Sequence, residues 1–163
     1  MCGDAAEGHS FWASLFYNYV DKPVALQARS QEIGDIVMIQ KMKSFYKQTL
    51  GSDYLCLRRC QANLLHDGDY IGVHVDQHSN PDYFATVVFH FDAKYRGGEF
   101  ITRDEQRGNH SFKPKQRAAL VNDCSIPHEV ARVESGERKT LACFLSKNFA
   151  VSNHHRKNFR IVK

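Results

Sequence analysis

No Cys-x-x-Cys pair occurs among the five cysteines, Cys2, Cys56, Cys60, Cys124 and Cys143. An odd count at irregular spacing argues against a disulfide framework and against a structural zinc cluster. A reducing, cytoplasmic compartment is the simpler expectation. The opening stretch, MCGDAAEGHS, lacks a basic n-region and an apolar h-region, so no signal peptide is expected. No apolar run approaches the length of a membrane span, and no membrane partner is expected. A dense basic stripe is missing as well. Lys+Arg 22 against Asp+Glu 18 leaves a net charge of +4, short of what a dedicated nucleic-acid binder carries. Internal repeats and low-complexity linkers are absent.

What is there is ordinary globular chemistry. The 163 residues are 42% hydrophobic and 25% charged, enough for one domain with a real core and too few for two. A single domain over 1–163 is therefore expected. Phe11, Trp12, Leu15, Phe16 and Tyr19 recur at helical spacing, as do Ile33, Ile36, Val37, Ile39 and Met42, then Phe45, Tyr46 and Leu50. These stripes predict helices over about 10–50, separated near Pro23 and stopped at Gly51. An aromatic stripe of this kind is far more often core than a ligand box. After Gly51 the apolar residues fall into short runs divided by turn signals such as Asp67-Gly68-Asp69, Arg96-Gly97-Gly98 and Ser135-Gly136-Glu137. About eight short strands over about 54–147 suggest a double sheet or jelly roll, and helices before strands give an α+β class. A basic tail over 150–163 closes the chain, more simply a solvated terminus than a binding arm.

The chemistry-bearing residues lie in two places. His74 and Asp76 flank a single valine, and in a strand residues two apart share a face. His128 opens an apolar segment downstream, and Arg138 follows it at the head of another. Two imidazoles and a carboxylate can hold Fe(II) on one face and leave three positions open; zinc accepts the same ligands. His-x-Asp alone is weak evidence. Among nine histidines chance pairs are common, and a lone one is more often a hydrogen-bonded structural residue. A hairpin between His128 and Arg138 would bring the second half of the constellation to the same barrel mouth. Arg138 would then be a fixed cation for an acid cosubstrate; the competing reading pairs it with Glu134 or Glu137 at the surface.

The segments HVD at 74–76, ATVVFHFD at 85–92, RGGEF at 96–100, FKPKQRAAL at 112–120, PHEV at 127–130 and GERKTLACFLS at 136–146 carry a resemblance. From about Arg59 to Lys147 the chain resembles the catalytic domain of Fe(II)/2-oxoglutarate-dependent oxygenases, and among them the prolyl-4-hydroxylase-like group. The resemblance implies a double-stranded β-helix (a cupin-like jelly roll) with the N-terminal helices packed on one sheet. It implies Fe(II) on His74, Asp76 and His128, 2-oxoglutarate chelating the iron with its far carboxylate on Arg138, and O₂ as oxidant. Succinate and CO₂ would be released as an unactivated C–H bond is hydroxylated, with ascorbate supporting turnover. If His90 points inward, strand parity places Val88 and Thr86 on the same face, with Thr86 and His90 lining the cosubstrate pocket. Phe100 and Val130 are apolar walls or plain core, and Gly97 and Gly98 a simple turn. Two departures from the family pattern stand out. Leu65 and His90 occupy positions where relatives often carry tyrosines, and Asn63 or Gln61 could compensate for Leu65 by hydrogen bonding. Related halogenases lack the carboxylate that Asp76 supplies, which favours hydroxylation. A prolyl residue in a peptide or protein, a free amino acid or another small molecule are the expected substrate partners. Two alternatives stand beside this: a non-catalytic metal- and 2-oxoglutarate-binding sensor on the same fold, and a nucleic-acid-modifying oxygenase prompted by Arg58, Arg59 and the tail.

Overall fold

A computed structural model describes residues 8–19, 23–25, 30–52, 54–91, 94–106 and 108–148. The basic tail lies outside these residues. Three strands come first, β1 (His9–Ser10), β2 (Trp12–Tyr19) and β3 (Pro23–Ala25), then helices α1 (Ser30–Val37) and α2 (Gln40–Leu50). The middle of the chain holds β4 (Cys56–Leu65), β5 (Tyr70–His74), a helical turn α3 (Asp76–Ser79) and β6 (Ala85–His90). It continues through β7 (Tyr95–Gly97), β8 (Phe100–Asp104), β9 (Gly108–Phe112) and β10 (Ala119–Asp123) to β11 (His128–Val130), β12 (Val133–Gly136) and β13 (Arg138–Ser146).

The strands form a six-stranded sheet in the order β10-β6-β13-β4-β2-β3, a five-stranded sheet in the order β1-β5-β11-β8-β9, and a small pair β12-β7. This is the double-stranded β-helix that the sequence predicts. Alternation along the central strands gives the six-stranded sheet two different faces. Val87, Cys143 and Leu145 turn outward into an apolar cluster with Val37 of α1, the adjoining Met38 and Tyr46 of α2, and Ile33, Met42 and Phe45 pack against it. The Tyr46 hydroxyl donates to the Val37 carbonyl at 3.0 Å, tying the two helices together. The other face carries Gln61, Asn63, Thr86, Arg138 and Thr140 and lines a cavity whose far wall comes from the five-stranded sheet. Among the described residues no helix is long and apolar enough to cross a membrane. The described cysteines, Cys56, Cys60, Cys124 and Cys143, are free and buried.

The helical expectation fails at the start of the chain. Trp12–Tyr19 is a strand paired antiparallel with β4, Trp12 opposite Leu64 and Asn18 opposite Arg59. The register slips between Leu15 and Tyr17, so the alternation that marks a strand is broken and the apolar residues mimic a helical stripe. Aromatic-rich sequence suits a pleated surface in any case. Pro23 separates no helices; it starts β3 at the sheet edge, where a missing N–H is tolerated. Gly51 does stop α2, in the left-handed region at φ 63, with its N–H bonded to the Lys47 carbonyl. The expected hairpin from His128 to Arg138 is also replaced. β12 pairs with β7, not with β11, so the chain crosses from one large sheet to the other between the two residues.

Candidate metal centre

β5 ends at His74, which lies opposite His128, the first residue of β11. Antiparallel neighbours in register bring the rings to 4.3 Å between centroids. The strand does not continue to Asp76 as expected. Val75 is extended, at φ −120 and ψ 121, and Asp76 opens α3. One extended residue suffices to return the carboxylate to the side of His74. The result is a cluster whose ligand-type atoms all lie within 4.8 Å of one another. His74 Nε2 and His128 Nε2 sit 3.5 and 3.7 Å from the same oxygen, Asp76 Oδ1. Asp76 is 5% exposed and His128 4%.

The surroundings fix the orientation of each donor. His74 Nδ1 lies 2.9 Å from the Gly72 carbonyl and His128 Nδ1 2.9 Å from that of Ile126. A carbonyl oxygen only accepts, so both Nδ1 atoms carry the proton and both Nε2 atoms face the centre. The Asn122 amide lies 3.2 Å from His128 Nδ1, and Phe100 stacks on the His128 ring at 4.9 Å. Thr86 Oγ1 donates to Asp76 Oδ2 at 2.5 Å, leaving Oδ1 for the centre. Burial pushes the Asp76 carboxyl upward, but contacts from His74, His128 and Thr86 outweigh it and hold the group below the usual carboxylate range. Burial drives the His128 imidazole below its ordinary value, against the pull of Asp76, and so favours the neutral, metal-binding form. Two ring nitrogens and a carboxylate oxygen facing one another bring lone pairs together. Only a proton or a cation between them resolves that arrangement, and a divalent metal with two imidazoles and one carboxylate fits it.

Arg138, the first residue of β13, is 2% exposed and lines the same cavity. Its Nε donates to the Gly98 carbonyl at 3.1 Å. Burial lowers its pKa, and the neighbouring Tyr95 phenol partly offsets this. The surface pairing with Glu134 or Glu137 is therefore excluded. Gly98 is more than a turn: at φ +65, a Cβ there would meet Arg138 Cδ at 3.0 Å and Tyr95 Cε2 at 3.2 Å. Around this guanidinium several buried polar atoms have no hydrogen-bond partner: both ring nitrogens of His90, the Tyr95 hydroxyl and Thr140 Oγ1. Burial pushes the Tyr95 phenol up, and the adjacent Arg138 guanidinium opposes the rise. Buried groups left this way are costly, and a ligand carboxylate beside Arg138 would satisfy them.

The other sequence-predicted residues separate into three groups. Asn63, Val88, Phe100 and Val130 line the cavity, and Asn63 accepts a hydrogen bond from Gln61 Nε2 at 2.8 Å. Thr86 lines it too, with its hydroxyl bonded to Asp76. His90 is 2% exposed and stands next to Arg138. Leu65 is fully buried in an apolar cluster with Tyr95, Phe100, Val130 and Val133, so it is core and no wall of the cavity. Sequence reasoning missed Thr140, Tyr95 and Asn122. Thr140 was within reach, two residues beyond Arg138 on the same strand face. Tyr95 and Asn122 gave no sequence signal, because cross-sheet neighbours have no fixed spacing. Arg58 and Arg59 are buried, Arg58 against Asp82 at 3.3 Å, and form no surface patch for nucleic acid.

Residues 60–146 match the family model of the 2OG-Fe(II) oxygenase superfamily. A comparison with curated protein sequences finds no match. Among solved structures, an oxidoreductase of the 2OG-Fe(II) oxygenase family from Burkholderia pseudomallei is 29% identical, with 90% of this chain and 70% of that one covered and a TM-score of 0.82. A Pseudomonas putida prolyl-4-hydroxylase shares the fold at 16% identity, covering 89% of this chain and 77% of that one with a TM-score of 0.62. A viral collagen prolyl hydroxylase from Paramecium Bursaria Chlorella virus-1 does so at 18%, covering 84% and 78%, with a TM-score of 0.60. The match spans more than half of the sequence and encloses the triad and Arg138 alike, and on that ground the chain belongs to the 2OG-Fe(II) oxygenase superfamily.

Proposed function

We propose that this oxygenase hydroxylates an unactivated C–H bond, using Fe(II) on His74, Asp76 and His128 and 2-oxoglutarate anchored by Arg138. The observation that carries the reading is the sharing of one cavity by a three-donor cluster and a buried guanidinium. When bound, iron with O₂ and the keto acid supplies the oxidising power, one oxygen atom entering succinate as CO₂ leaves and the other entering the substrate. The protein's own share is positional. The Gly72 and Ile126 carbonyls fix the two imidazoles, and Thr86 fixes Asp76. Arg138 supplies the cation, and Thr140, Tyr95 and His90 the additional hydrogen-bonding groups, for the far carboxylate of 2-oxoglutarate. Asp76 fills the position that a halide would need, which supports hydroxylation.

The substrate is a prolyl residue or another small acceptor, such as a free amino acid; ascorbate serves as the reductant that restores Fe(II). The direct test is succinate release from 2-oxoglutarate with and without Fe(II), in the natural sequence and in His74→Ala. Iron-dependent release that is lost in the variant supports the reading. Equal release from the variant removes His74 from the centre.

A further inference from the structure

A thiol stands behind the carboxylate of the metal centre. Cys124, the residue after β10, is fully buried, and its Sγ lies 3.1 Å from Thr86 Oγ1. Proton counting gives that bond its direction. Thr86 has one hydroxyl proton, and it goes to Asp76 Oδ2. The Asp76 carboxylate has none to return, so Thr86 can only accept from Cys124. Burial keeps the thiol in its protonated, donating form. The result is a relay from the Cys124 thiol through the Thr86 hydroxyl to Asp76. A hydroxyl that accepts one bond donates a stronger one and is less free to turn elsewhere. The main chain of Cys124 reaches the same place. Its carbonyl accepts from the N–H of Gln77, the residue after Asp76, at 3.2 Å, and its own N–H donates to the Phe84 carbonyl at 3.3 Å.

The relay divides the two oxygens of Asp76 between two tasks. Oδ1 faces both imidazoles, 3.5 Å from His74 Nε2 and 3.7 Å from His128 Nε2. Oδ2 is turned to Thr86. A carboxylate is able to hold a metal through one oxygen or through both. The difference matters at this centre. An octahedral ion with three protein donors and a chelating keto acid has one position left, the one that O₂ needs. If Asp76 also coordinated through Oδ2, none would remain. A divalent ion attracts both oxygens, so Oδ2 stays away only while its hydrogen bond holds. A hydroxyl braced from behind holds better than one free to rotate.

We propose that Cys124 is a positioning residue, bracing Thr86 so that Asp76 gives the metal a single oxygen and one coordination position stays vacant for O₂. The proposal rests on the oxygenase reading above and deepens it. The test loads the natural protein anaerobically with Fe(II) and 2-oxoglutarate and then titrates it with nitric oxide. Nitric oxide takes the vacant position and gives an EPR signal that reports its Kd. The Kd values for Fe(II) and 2-oxoglutarate are measured alongside. Thr86→Val should raise the Kd for nitric oxide about tenfold or more, with the Kd for Fe(II) unchanged or lowered because a second oxygen joins the metal. Cys124→Ala should raise the nitric oxide Kd about threefold or more in the same manner, and Cys124→Ser should restore it to within about a factor of two. The Cys124 variants decide even where Thr86→Val does not fold. A nitric oxide Kd in Cys124→Ala equal to that of the natural protein overturns the proposal. So does a loss in which Fe(II) affinity falls in parallel, the mark of a merely structural role, or a Cys124→Ser protein no better than Cys124→Ala. If the natural protein binds neither Fe(II) nor 2-oxoglutarate, the failure lies in the oxygenase reading and takes this proposal with it.

Discussion

His90 and Arg138 are neighbouring buried side chains of opposite temperament: one loses its charge on burial and the other cannot. Burial, with the nearby Arg138 charge adding to it, pushes the His90 pKa from 6.5 down to about 4. A histidine depressed in the folded state takes up its proton first in the unfolded chain, so stability falls as pH drops from about 6.5 toward 4. The loss is on the order of 3 kcal/mol once both states are protonated. His90→Phe should flatten that acid limb; denaturant midpoints measured at pH 7 and at pH 4.5 would check it, and an equally steep limb in the variant would remove His90 as its source. Arg138 acts on the cosubstrate. Arg138→Ala should raise the KM for 2-oxoglutarate by roughly thirtyfold, about 2 kcal/mol for a charge-assisted pair. An unchanged KM, read from succinate release, would point to another anchor. His74, Asp76, His128 and Arg138 were legible in the sequence because each sits at the edge of a strand-like run, where a polar residue is out of place unless it has a task. Thr86 was legible as a cavity residue but not in its role, since its partner Asp76 lies on a separate helical turn.

Strands and turns decide where those side chains point. β13 and β4 alternate between a cavity face and a face packed against the helices, so a single-residue slip in either would turn Arg138 away from the centre. The Gly97-Gly98 turn secures the same residue from the opposite side. Gly98→Ala must adopt φ near +65 and place a methyl group 3.0 Å from Arg138 Cδ. We expect a destabilisation of about 1–2 kcal/mol, read as a lowered Tm, together with a raised KM for 2-oxoglutarate as the guanidinium shifts. A variant with unaltered Tm and KM would show that the turn yields freely. Strands with regular alternation, such as β13, could be read from the sequence at this scale. β2 could not, because a register slip at Leu15 erased its period. Nor could the crossing between the large sheets, because β12 pairs with β7 through contacts that sequence spacing does not encode.

For the whole molecule, two sheets provide the chamber, and a metal held by the triad would tie them together. His74 and His128 belong to the five-stranded sheet, and Asp76 is held through Thr86 by the six-stranded one. A metal bound by all three should therefore stabilise the entire fold and not only a loop. At a hundred times its dissociation constant a divalent ion adds about 2.7 kcal/mol, or roughly 5–10 °C in Tm for a chain of this size. His128→Ala should lose that increment, and a variant whose Tm still rises with metal would place the ion elsewhere. The β-rich architecture was readable from turn signals and short apolar runs. The lining of the chamber was not, since it depends on which of two faces each strand turns inward. The most direct measurement is anaerobic titration of the protein with Fe(II) and then 2-oxoglutarate, followed in the visible range. A metal-to-ligand charge-transfer band should appear on adding the keto acid, be absent in His74→Ala, and need far more 2-oxoglutarate in Arg138→Ala. No band in the natural protein, or one that survives His74→Ala unchanged, would contradict the joint site.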